Sequence, residues 1–232
     1  LPRTHIRFFR TALFSAVIIA GLTPQGLLGP YLYIGYPDVR NLSFSIFFSV
    51  AATALLAGIA GALMCKIILA VMHWKKNFTA AQNFAFILVA GGVLAAAAFF
   101  VDEHIVGSGH ELMNTVLFTG EKESAWYTVE MRILGPIISF NVGAAGGVFA
   151  PSLAGGASIG SYLAGLFDFT GANANILILG GMVGFLTGVT RTPFTSAILV
   201  LEMTDRHSVI FHLLLAAMIS NVAALLVDKR SF

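Results

Sequence analysis

From Ile133 to Phe167 the chain carries no charged residue, yet Pro136, Gly143, Gly146, Gly147, Pro151, Gly155, Gly156, Gly160 and Gly165 punctuate it. A stretch this apolar belongs in a protein core or a bilayer, and glycine and proline at this density remove too much support for one straight helix. A pair of helices broken in the middle is predicted. Inside a membrane such a break is tolerated only where its freed backbone groups line a cavity or meet protein, which makes the break a candidate site.

The rest of the sequence favours the bilayer. Of 232 residues 57% are hydrophobic and 10% charged, against roughly 25% charged in an average soluble domain. A hydrocarbon core needs about 20 apolar residues per helical span, and several runs qualify. They are Thr11 to Pro30, Asn41 to Cys65 with an extension past Lys66 to Met72, Phe84 to Val101 with its Gly91-Gly92 pair, and His207 to Val227. Asn175 to Thr190 is a little short, Pro193 to Leu201 is much shorter, and Glu111 to Phe118 reads as a partial, re-entrant helix after Gly107-Ser108-Gly109. The Gly91-Gly92 pair is expected to admit a neighbouring backbone. Short segments beside long ones are the pattern of half-helices that meet within a membrane.

Charge and cysteine content exclude other classes. Thirteen Lys and Arg nearly balance eleven Asp and Glu without a basic face, so nucleic acid has no electrostatic footprint to bind. Cys65, the single cysteine, offers neither a disulfide nor a metal pair and reads as packing. Arg3, Arg7, Arg10, Lys75 and Lys76 sort to one side, and Asp38, Asp102, Glu103, Glu111, Glu121, Glu123 and Glu130 to the other, which puts the amino end and the 73–77 loop in the cytoplasm. The chain opens on Leu1-Pro2 and stops at Phe232, close behind an apolar run. It is expected to be a piece of a longer protein, with residues 1–232 all membrane domain and no soluble domain.

The stretch that carries chemistry is Gly143-Ala144-Ala145-Gly146-Gly147-Val148-Phe149-Ala150-Pro151, followed by the small residues Ser152, Ala154, Gly155, Gly156, Ala157, Ser158 and Gly160. Two glycines allow a tight turn and leave backbone N–H groups open, and a proline in the first turn of the next helix removes a donor that has no helical partner anyway. A helix start of this kind presents up to four free N–H groups and a partial positive charge, which suits a small anion without any Lys or Arg. Such a neutral site releases its ion readily, as conduction requires. From spacing alone, close helix packing explains the glycines equally well.

Gly146-Gly147-Val148-Phe149-Ala150-Pro151 resembles the GGxFxP signature of the CLC chloride channels and chloride/proton antiporters. Gly188-Val189-Thr190-Arg191-Thr192-Pro193, leading into Ile198-Leu199-Val200-Leu201-Glu202-Met203-Thr204-Asp205, resembles a second family segment, and Gly107-Ser108-Gly109 falls where the family has a glycine-rich turn. The resemblance runs along essentially the whole chain and covers the second half of the family's membrane domain. It implies an all-α polytopic fold of two inverted repeats, of which this chain is one, with about nine or ten helices of unequal length including re-entrant and broken ones. It also implies a homodimer with one anion pathway per subunit, contacting through the helices matching 193–202 and 207–227.

Carried onto this sequence, the resemblance makes the backbone amides around Gly146, Gly147, Val148, Phe149 and Ala150 the anion ligands, Val148 and Phe149 foremost, with Pro151 starting the helix. The family's GSGIP turn and its GxEGP turn with the gating glutamate belong to the first half and do not occur here, and Gly107-Ser108-Gly109-His110 lacks the Ile-Pro of the former. The family's pore tyrosine would follow Phe232. A complete pathway therefore requires the missing amino-terminal half. The implied activity is chloride transport across a bacterial inner or plasma membrane, with proton-coupled exchange favoured over passive conduction. A fluoride/proton antiporter of the same family, and a non-transporting subunit or incomplete gene product, are the rivals. No cofactor is implied.

Other residues have simpler readings. His104, His110 and Glu111 are of metal-ligating type, but the only pair among them at helical spacing lacks the third partner that a metal needs, and the segment reads as extramembrane. Arg191 and Glu202 border apolar sequence, where structural pairing or an interfacial position is favoured over a functional one, with Thr192 capping and Pro193 starting the next helix. His207 and His212 suit interfacial anchoring, and Phe44, Phe47 and Phe48 suit lipid or core packing. No Ser-His-Asp order, HExxH or phosphate loop supports an enzyme.

Overall fold

A computed structural model describes residues 3–28, 33–39, 44–101, 106–143 and 146–228. The chain divides into two units, residues 1–33 and 34–232. The first contains α1 (Arg3–Leu28). The second contains α2 (Phe44–Trp74), α3 (Ala80–Phe100), α4 (His110–Phe118), α5 (Trp126–Val142), α6 (Phe149–Leu166), α7 (Gly171–Thr190), α8 (Pro193–Thr204) and α9 (Ile210–Val227). Among the described residues there is no strand. The expected turn at Gly29-Pro30, the residues Asn41, Asp102, Glu103, His104, Ala144 and Ala145, and the end from Lys229 lie outside the described residues.

The unequal helices follow the apolar runs. Four of them, centred on α2, α3, α7 and α9, are long and apolar enough to cross a membrane. The chain is an all-α membrane protein. Helix α3 starts before the predicted Phe84 because Thr79 and Gln82 close a capping box, with Gln82 N donating to Thr79 Oγ1 at 3.3 Å and Thr79 N donating to Gln82 Oε1 at 2.9 Å. The partial helix predicted at Glu111 is α4, nine residues long.

In lipid, apolar surface gains nothing by leaving one hydrocarbon phase for another, so helices associate where small residues let backbones touch. Helix α7 is built on that rule, being buried along almost its whole length between α6, α2 and α9. A β-carbon added to Gly156 of α6 would lie 2.3 Å from the Gly181 carbonyl oxygen, and one added to Gly160 would lie 2.5 Å from that of Leu177. On the other side of α7, a β-carbon on Gly188 would lie 2.4 Å from the carbonyl oxygen of Gly58 in α2. Phe185 fills the space between, over Gly155 of α6 and Gly61 of α2, within a core that includes Met64, Ile68, Ile137, Ile159 and Val189. Ser220 of α9 ties the third neighbour, its hydroxyl shared between the carbonyls of Ala54 and Ala216 at 2.7 Å each.

Three expectations need correction. Gly91 and Gly92 admit no described neighbour: nothing lies within 4 Å of a β-carbon at either, and α3 is mostly exposed. Pro136 does not break the chain but lies inside α5. It deprives the Arg132 carbonyl of its helical donor, and α6 passes close to that carbonyl, where a β-carbon on Gly155 would stand 3.6 Å away. His212 is no interfacial anchor. It is 3% exposed, stacked on Phe47 with ring centroids 3.9 Å apart, and neither ring nitrogen has a hydrogen-bond partner.

Candidate functional site

The predicted break falls between α5 and α6. Helix α5 ends where Gly143 turns to φ +90°, its N–H donating to the Phe140 carbonyl at 3.3 Å. That left-handed turn is free of strain only for glycine. The chain resumes at Gly146 and Gly147, both exposed, with nothing within 4 Å of a β-carbon on either. These glycines serve openness and not packing, in contrast to Gly155, Gly156 and Gly160 one turn and more into α6.

Val148 is the N-cap of α6, and no side chain caps the helix. Its carbonyl accepts from Ser152 N at 3.1 Å and from Ser152 Oγ at 2.6 Å. In an α-helix the first N–H groups have no carbonyl behind them. Pro151, the third residue of α6, has no N–H at all. The donors left facing outward are therefore the amides of Phe149 and Ala150, with Val148 beside them at the positive end of the helix dipole.

These amides open on a cleft of about 500 Å³ lined by Gly146, Gly147, Phe149, Ala150 and Pro151 from the break, Ser139 and Phe140 from α5, and Gly107 and Ser108. None of these residues is charged. The two glycine-rich motifs, separated by more than thirty residues in sequence, meet in one cavity. Gly107 and Gly109, at φ +74° and +79°, shape the turn that brings the second motif there. Ser108 Oγ accepts from His110 N at 3.4 Å at the start of α4. The mostly apolar wall with a few convergent backbone donors suits a small, weakly held anion.

One nearby residue escaped the sequence reading. Arg132 of α5 is 4% exposed and its Nη1 donates to the Gly107 carbonyl at 3.1 Å. It lines a second cavity of about 140 Å³, with Leu94, Val106, Gly135 and Pro136, that shares Gly107, Ser139 and Pro151 with the cleft. The signal available was a lone arginine one residue before a long uncharged run, a position suspect by default in a membrane protein.

The remaining candidates lie elsewhere. His110 Nδ1 is 3.2 Å from Asn114 Nδ2, and no group of three metal-ligating side chains forms among the described residues. Arg191 ends α7 at φ +59° and its Nη2 donates to the Asp228 carbonyl at 2.8 Å, a structural tie as expected. Thr192 does occupy the N-cap of α8 and Pro193 its first turn, but the Thr192 hydroxyl lies 2.8 Å from that of Thr190 and caps no N–H. Glu202 is exposed on α8, and Asp205 pairs with His207 at 3.3 Å on the surface.

A family model described as voltage gated chloride channel matches residues 3–225. The chain is 26% identical to the voltage-gated ClC-type chloride channel ClcB of Salmonella typhimurium, over 95% of its own length and 57% of the relative's. It is 23% identical to the H(+)/Cl(-) exchange transporter ClcA of Citrobacter koseri, over 89% of its length and 45% of the relative's. Among solved structures, a CLC-type fluoride/proton antiporter superposes with a TM-score of 0.73 at 17% identity, covering 88% of this chain and 50% of that one. A slow cyanobacterial Cl-/H+ antiporter does so at 0.66 and 21%, covering 82% and 48%. The chain thus spans about half the length of the curated relatives it matches.

Proposed function

Because the chain belongs to the voltage-gated chloride channel family, we propose that it forms one half of an anion pathway whose central ligands are the amides of Val148, Phe149 and Ala150, with Gly146 and Gly147 keeping the approach open. The observation that carries this reading is the uncapped start of α6, which faces an uncharged cleft shared with the Gly107 turn. The first N–H groups of a helix have no carbonyl partner within it, and an anion with a weak hold on two or three such groups satisfies them without becoming trapped.

In the whole protein the ion is chloride and the transport is exchange against protons, across a bacterial inner membrane. The names of relatives support a chloride pathway, and this chain supplies only part of it. The other half of the cleft comes from the amino-terminal repeat. The exposed apolar residues Phe194, Ile198, Phe211, Met218 and Val222 on α8 and α9 support a homodimer joined through those helices.

The test is ion efflux from liposomes containing the full-length protein that carries this chain, followed at once with chloride, fluoride and pH electrodes. Chloride efflux with opposed proton movement is the expected result. Chloride flux without protons makes the protein a channel, fluoride preference makes it a fluoride exchanger, and no flux of any anion overturns the proposal.

A further inference from the structure

We propose that the charged end of α2 binds the headgroup of an anionic phospholipid drawn from the leaflet at that end of the helix. Helix α2 is 31 residues long, about 46 Å at the α-helical rise, against a hydrocarbon core of about 30 Å. Its last turns therefore stand in the headgroup layer. With Phe44 at one edge of the hydrocarbon, Lys66, about 33 Å further along the axis, stands at the other. By the charge asymmetry of the chain this leaflet is the cytoplasmic one.

Lys66, Leu69, Ala70, Met72, His73 and Lys76 line a cavity of about 700 Å³ together with Asp228, which follows α9. Lys66, Ala70 and His73 share one helix face, and the exposed Leu63 and Ile67 carry that face on toward the membrane centre. Cations at headgroup depth beside an apolar track match a phosphodiester and the acyl chains behind it. Neither His73 nor Lys76 has a hydrogen-bond or ion-pair partner among the described residues, and Lys66 Nζ reaches only the Val227 carbonyl, at 3.5 Å. Their neighbour Lys75 is the contrast: it donates to the Asn141 carbonyl and lies 4.2 Å from the Phe86 ring centroid. The lining holds two lysines against one acid, Asp228, and Arg191 Nη2 donates to the Asp228 carbonyl at 2.8 Å, so the cavity is net positive. Closing the end of α9 accounts for Lys66 alone and leaves His73 and Lys76 on the cavity. A zwitterionic headgroup would bring its own ammonium against the lysines, so the lipid selected is one whose phosphate is its only charge, such as phosphatidylglycerol.

The test titrates phosphatidylglycerol, and phosphatidylcholine with the same acyl chains, into the full-length protein in detergent and counts bound lipid by native mass spectrometry. Wild type is expected to bind phosphatidylglycerol at least about tenfold more tightly than phosphatidylcholine. Lys66→Gln and Lys76→Gln are each expected to weaken phosphatidylglycerol binding about fivefold. Both side chains are exposed, so the variants are expected to fold as wild type does. Lys75→Gln removes an equal charge from the same end of the helix but not from the cavity, and is expected to change binding by less than about twofold. Equal binding of the two lipids by wild type overturns the proposal, as does unchanged phosphatidylglycerol affinity in either cavity variant. An equal loss in Lys75→Gln also overturns it, because the attraction would then be general to the helix end. Millimolar inorganic phosphate is expected to leave the lipid in place; displacement would make the site one for a free anion from water, and the lipid assignment would fail.

Discussion

Gly156 of α6 and Gly181 of α7 are reciprocal contacts: a β-carbon placed on either would lie 2.3 Å from the carbonyl oxygen of the other. Neither helix can carry a methyl group there without moving its partner's backbone, since the obstructing atom is not the end of a flexible side chain. The contact seats α6, and α6 in turn fixes where the Phe149 and Ala150 amides point.

Gly156→Ala is therefore expected to cost about 1–3 kcal/mol, the usual range for overpacking a tight contact. A lower thermal midpoint in detergent, read by loss of the monodisperse peak, checks it. Gly92→Ala is the matched control. Nothing lies within 4 Å of its new methyl, so it is expected to be neutral or to gain up to about 1 kcal/mol from helix propensity.

Gly147 behaves oppositely to Gly156. Its surroundings are open and its φ is not in the left-handed region, so Gly147→Ala and Gly147→Leu are both expected to fold. The leucine projects into the cleft before the amides, and chloride affinity is expected to fall by at least about tenfold, or about 1.4 kcal/mol, with alanine near wild type. Equal affinities in both variants would remove this turn from the pathway.

Lys122 joins the loop after α4 to α7, with Nζ donating to the Leu117 carbonyl at 2.6 Å and to Asn175 Oδ1 at 3.0 Å. Burial holds its ammonium below the ordinary 10.5. Between the lowered folded value and 10.5 the unfolded chain binds more protons than the folded one, so stability rises with pH in that window. The midpoint is expected to climb as pH approaches 10.5 from below, and Lys122→Met is expected to flatten the climb. A midpoint that falls over the same range in wild type but not in the variant would contradict the assignment.

Asp205 caps α8 with φ +47° and holds only a surface pair with His207. Left-handed backbone costs a non-glycine residue about 1 kcal/mol, and an exposed ion pair returns less than that. Asp205→Gly is expected to raise the thermal midpoint slightly, by less than the roughly 2–4 °C that a full 1 kcal/mol gives a chain of this size. Asp205→Ala loses the pair without relieving the strain, and its midpoint should fall.

The helices were legible because the length of an uncharged run is a direct measure of what a bilayer can hold, and the α5–α6 break because Gly143, Gly146 and Gly147 leave a helix no way through. The meeting of Gly107-Ser108 with Gly146-Gly147 was not legible, since it depends on how α4 and α5 fold back. Arg132 was lost for a related reason. With Glu130 two residues away it reads as loop polarity, whereas in the fold it is buried and donates to the Gly107 carbonyl, 25 residues upstream. Gly91-Gly92 misled in the other direction, because two glycines in a helix look the same whether or not a neighbour is near.

Helix α7 has the lowest mean hydropathy of the four span-length helices, 1.5 against 2.1 to 2.3, and is the most deeply enclosed. It sits in a membrane yet scarcely touches lipid. Two of its enclosing partners, α2 and α6, precede it in the chain, but α9 follows, and the seat of Gly184 against Ser220 is complete only when α9 arrives. The most enclosed helix of the described residues is therefore one whose surroundings cannot be completed by the chain that precedes it, so its seat closes only after a later helix has been made.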